Sequence, residues 1–142
     1  MPSSPRSDRI EAFCLDLVLV GIGGFLGLIG TFLIPLRLAG GVEGLAAVIA
    51  LVGNVAVGLL GGIGGRSTRS ATLPGVSWFV VVMAINVVSR GGDVIIPGKL
   101  PVDPGVVWVG YAFLALGLIG AVIAISATQI YTRRLQEPRN TM

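Results

Sequence analysis

Three polar side chains lie within, or at the ends of, the long apolar stretches of this chain, and any chemistry done inside those stretches falls to them: Asp16, Asn54 and Asn86. Asp16 is the one that ionises. An acid held within a membrane span is by default a site of proton or cation coupling, because its charge is expensive to keep there without a task. A structural role competes with that reading. Asp16 sits within about two turns of water, and an acid near a helix N-terminus is favoured by the helix dipole. Asn54 falls near the middle of its stretch and Asn86 near the outer end of another. At about 1.5 Å per residue they differ in depth by roughly 10 Å or more, so the two amides do not pair. Each is expected to bond to the backbone of a neighbouring helix, an interaction worth roughly 0.6 to 2 kcal/mol. Outside the apolar stretches, Asp93, Lys99 and Asp103 belong to the one polar loop substantial enough to recognise a partner.

The residue types that are missing exclude most catalysis. Without histidine there is no Ser-His or Glu-His apparatus and no imidazole ligand for a metal or haem. The single Cys14 can form neither an intramolecular disulfide nor a zinc or iron–sulfur site. An aspartyl intramembrane protease needs two acids on facing helices, and the spans contain Asp16 alone. Gly21 to Gly30 is glycine-rich, but no strand precedes it and no Lys-Ser/Thr follows it, so it is not a phosphate-binding loop. The chain reads as a non-enzyme with no cofactor, no metal site and no nucleic-acid partner.

The elements that position these side chains follow from the distribution of charge. Only 12% of residues are charged, 54% are hydrophobic and the mean hydropathy is +0.91, whereas a soluble domain carries about 25% charge. The charges leave four uncharged stretches: Leu17 to Leu36, Gly44 to Gly65, Ser70 to Ser89 and Pro104 to Thr132. Each supplies the roughly 20 helical residues needed to cross a hydrocarbon core of about 30 Å. The expected fold is therefore an all-α membrane protein, four transmembrane helices in an antiparallel bundle, forming a single membrane domain over residues 1–142. The helices are predicted at about 13–36, 43–64, 71–89 and 104–131, with Pro74 in the first turn of the third. Residues 1–10, with two prolines and no apolar periodicity, read as a disordered cytoplasmic tail. Residues 90–103 form the outer loop and 133–142 a second cytoplasmic tail. The first apolar run is too long for a secretory signal and is closed by no small-x-small site, so it is expected to stay as a helix. Threading the four spans back and forth gathers Arg6, Arg9, Arg66, Arg69, Arg133, Arg134 and Arg139 on one side and leaves Arg37, Arg90 and Lys99 on the other. The positive-inside rule then places both termini in the cytoplasm of a bacterial cell, with the chain multi-pass in the inner (plasma) membrane.

Small residues recur at helical spacing. Gly23, Gly27 and Gly30 share one face of the first helix with Asp16, Gly58 and Gly61 share one face of the second with Asn54, and Gly117 and Ala121 share one face of the fourth. Lipid tails are as apolar as leucine, so burial does not draw helices together in a bilayer, and close backbone approach at such faces takes its place. Helices one, two and four are expected to meet through these stripes.

Gly23-Gly24-Phe25-Leu26-Gly27 and Gly53-Asn54 resemble the opening of a bacterial fluoride channel, but Thr31 stands where that family has an arginine, and its Thr-Phe-Ser-Thr-Phe segment is missing from the third helix. Leu73-Pro74-Gly75 with Trp78, followed by Gly92-Asp93-Val94-Ile95-Ile96-Pro97-Gly98, resembles a family of small actinobacterial integral membrane proteins with four helices. That resemblance implies a fold and a compartment and no established activity. The expected function is that of a non-enzymatic accessory or assembly partner in contact with membrane lipids and with another membrane protein. The alternative is a small transporter or channel, proton-coupled or ion-conducting, working as a homodimer.

Overall fold

The computed structural model describes residues 5–34, 44–88 and 104–136, and these form four helices: α1 (Pro5–Leu33), α2 (Leu45–Gly64), α3 (Thr68–Val88) and α4 (Pro104–Gln136). All four are long and apolar enough to cross a membrane. The polypeptide is thus an all-helical, multi-pass membrane protein.

The helix ends differ from expectation in three places. Residues 5–10, predicted to be disordered, form the first turns of α1. Pro5 at the first helical position needs no donor. At its other end, α4 continues through Arg133 and Arg134, whose positive charge suits the last turn. The third helix starts at Thr68, so Pro74 is an interior residue rather than a first-turn one. A proline there has no N–H for the carbonyl four residues back, and Ser70 loses its helical donor.

The α2–α3 connection is short because both helix ends are closed locally. The Ser67 N–H donates to the Gly62 carbonyl at 3.3 Å and the Arg66 N–H to the Ile63 carbonyl at 3.4 Å, the paired bonds of a Schellman motif. Its left-handed position is held by Arg66, at φ 47°, where glycine is the usual occupant. Ser67 then caps α3, its Oγ accepting the Arg69 N–H at 3.2 Å.

Packing departs from expectation more instructively. α1 lies chiefly on α3, α2 lies chiefly on α4, α2 and α3 touch between them, and α1 and α4 barely meet. The expectation that helices one, two and four meet through these stripes is corrected for α1, whose glycine face is applied chiefly to α3. Gly23 abuts the backbone of Pro74 and Gly27 that of Trp78. Contact positions rise together along α1 and α3, so these two run the same way, as do α2 and α4, where Gly58 meets Ala124 and Gly62 meets Thr128. The third helix escaped the pattern because its contact surface is made of Ser70, Ala71, Pro74 and the large Trp78 instead of a glycine stripe.

The core is filled by Trp78 and Phe113, whose ring centroids are 5.2 Å apart at a tilt of 53°. Ile34, Ala46, Ala47, Ala50, Val82 and Val109 surround them. The outside is apolar: Phe25, Phe32, Val52, Leu60, Val80 and Val122 are all exposed, as suits surfaces that face lipid tails rather than water.

Candidate functional site

Asp16 is built into a junction between α1 and the start of α3. Ser70 Oγ donates to Asp16 Oδ1 at 2.8 Å, and the Arg69 guanidinium lies 3.8 Å from Oδ2. The two contacts are unequal in weight. Ser70 is buried, and a hydrogen bond to a carboxylate is among the stronger kinds. Arg69 is 80% exposed against 20% for Asp16, so that ion pair is screened and adds little. The carboxylate also stands by the N-terminal turn of α3, where the helix dipole favours a negative charge. One turn further along α1 and two further along α3, Ser77 Oγ donates to the Val20 carbonyl at 2.7 Å, and α1 is fastened to α3 twice on the same side. The expectations missed Arg69, Ser70 and Ser77. The seven-residue spacing of Ser70 and Ser77 on one helix face was the available signal.

Asn54 is 2% exposed. Its Nδ2 donates to the Ala50 carbonyl of its own helix at 2.9 Å, which corrects the expected bond to a neighbouring helix. Its neighbours across the interface are Gly120, whose backbone lies against the Asn54 side chain, and Gly75, near Oδ1. Glycines on α3 and α4 offer the amide close contact but no side-chain donor, and Oδ1 is left without a hydrogen-bond partner. The Trp78 Nε1–H, fully buried, is also without one. Asn86 is partly buried near the C-terminal end of α3, and its Oδ1 is likewise unpartnered. Asp16, Asn54 and Asn86 are therefore three separate sites. Trp78, which sequence reasoning treated only as a motif residue, is a second unpartnered polar group in the bundle interior.

Among the described glycines, Gly30 faces the Phe113 ring, Gly61 faces the Ser70 carbonyl and the Leu19 side chain, and Gly117 faces the Trp78 ring, while Ala121 places its methyl against Gly75. The Ser70 carbonyl that meets Gly61 is the one deprived of its helical donor by Pro74. The remaining buried hydroxyls bond within their own helices: Thr31 to Gly27 at 2.6 Å and Thr128 to Ala124 at 2.9 Å. Asp93, Lys99 and Asp103 lie outside the described residues. Among the described residues no three His, Cys, Asp or Glu side chains cluster as metal ligands. Comparison with protein-family models, curated proteins and solved structures finds no match.

Proposed function

We propose that this protein is a non-enzymatic accessory or assembly partner of the bacterial plasma membrane, with its four helices threaded as an antiparallel bundle and both termini in the cytoplasm. The observation that carries this reading is the engagement of Asp16. The one acid inside an apolar stretch accepts a hydrogen bond from Ser70 and faces Arg69, which spends its charge on holding α1 to α3 rather than on a transported cation. The sorting of Arg66, Arg69, Arg133 and Arg134 supports the orientation, and the Leu73-Pro74-Gly75 and Gly92 to Gly98 segments support kinship with the small actinobacterial family. Contact with a partner protein is assigned to the lipid-facing surface and to the loop carrying Asp93, Lys99 and Asp103. Affinity purification from native membranes tests the reading: a reproducible membrane partner, lost on replacing the 90–103 loop, is expected.

A second reading, a small homodimeric transporter or channel, draws on the unpartnered Asn54 Oδ1 in the core. Flux measurements in liposomes with protons, fluoride and lipophilic cations separate the two. No specific flux supports the accessory role, and a flux abolished by Asp16→Asn or Asn54→Leu establishes the transporter.

A further inference from the structure

We propose that Asn54 and Trp78 together hold one buried water molecule in the membrane interior. Both side chains are at least 98% removed from solvent, since Asn54 is 2% exposed and Trp78 0%. One offers an unused acceptor, Oδ1, and the other an unused donor, Nε1–H. Each forfeits a hydrogen bond when left buried and unpaired, and in a bilayer no surrounding solvent relieves it.

Four contacts set the two groups on neighbouring turns of one interface. On α1, Leu26 meets Gly53 and the adjacent Gly27 meets Trp78, which brings the Asn54 turn of α2 beside the Trp78 turn of α3. On α4, Gly120 meets Asn54 while Gly117, one turn away, meets the Trp78 ring. Asn54 Oδ1 lies near Gly75, one turn before Trp78 on α3. The amide and the indole make no direct bond. A molecule joining them must accept from nitrogen and donate to oxygen at the same time, must be small enough for a layer walled by Gly75, Gly117 and Gly120, and must be neutral. The Asp16 carboxylate, already engaged by Ser70, lies at another level of α1. Water meets all three conditions, and the entropy lost on immobilising it is offset by two satisfied groups. The inference is independent of whether the protein is an accessory partner or a transporter.

The test is water-edited solid-state NMR on 15N-indole-labelled protein in lipid bilayers, with Trp108→Phe removing the second indole. Trp108 is half exposed and outside the site. The expected result is magnetisation transfer from water to the Trp78 Nε1–H, lost in a Trp108→Phe, Asn54→Leu double variant. A Trp78 indole proton that receives no transfer in Trp108→Phe overturns the proposal, whether the proton is bare or bonded directly to Asn54. Undiminished transfer after Asn54→Leu also overturns it. If the double variant does not fold, the Trp108→Phe protein alone decides, because that substitution leaves both site residues in place.

Discussion

The two halves of the bundle are held together by different means. Toward the α2–α3 turn, glycine backbone meets backbone and small side chains: Gly61 lies on the Ser70 carbonyl, Gly58 on the Ala124 methyl and the Ala71 carbonyl, and Gly62 on the Thr128 side chain. The acid there is paired, Asp16 with Ser70. Toward the other end the space between the helices is filled by Trp78 and Phe113. That half contains the unpartnered Trp78 Nε1 and Asn86 Oδ1, and Asn54 Oδ1 lies at its border. In a bilayer, where expelling apolar surface gains little, small residues let backbones approach and large ones fill what the approach leaves open. The first solution leaves its acid paired; the second leaves polar capacity to spare.

The contrast is broken most severely by filling the tight end. A leucine at Gly62 would drive its side chain into Thr128, a neighbour on a helix that cannot move without opening the bundle. Gly62→Leu is expected to destabilise by about 3 kcal/mol or more, measured by steric-trap unfolding in bicelles. Emptying the aromatic end comes next. Trp78→Ala in a soluble core would cost about 3 to 5 kcal/mol, but part of that is transfer from water, which a lipid-solvated helix does not lose. A loss of about 2 kcal/mol is expected by the same measurement. A smaller effect is expected at the Asp16 junction, where the two contacts should separate: Ser70→Ala removes the buried bond and costs about 1 kcal/mol, while Arg69→Ala changes stability by less than about 0.5 kcal/mol. Equal losses would show that the exposed ion pair, not the hydroxyl, fastens α1. The last effect has the opposite sign. Arg66 occupies a left-handed position at φ 47°, so Arg66→Gly should stabilise the turn by up to about 1 kcal/mol, and a loss on that substitution would mean that the Arg66 side chain makes a contact worth more than the backbone strain.

Much of this architecture was legible beforehand. The four spans follow from where charge is absent, and the glycine faces from residues recurring near 100° per position. What each face touches was not legible, because a stripe of glycine specifies close approach without naming the approaching surface. Gly23 and Gly27 find Pro74 and Trp78, two residues that a search for small side chains passes over. Pro74 in addition frees the Ser70 carbonyl, a backbone effect that appears only once α3 is known to start at Thr68. The same holds for the polar residues. Asp16 stood out by type, whereas Ser70 and Trp78, common in any helix, gained their meaning from position across an interface.

The central claim is that specific glycines hold the bundle by backbone approach, rather than glycine content loosening it in general. Gly61 and Gly21 test it as a pair, because a side chain at Gly61 meets the Ser70 backbone and Leu19, whereas at Gly21 nothing lies within 4 Å. Leucine is introduced at each, and the folded fraction in bilayers is measured by steric trapping. Gly61→Leu is expected to lose about 3 kcal/mol and Gly21→Leu less than about 0.5 kcal/mol. Comparable losses at the two positions, or none at Gly61, would contradict the account.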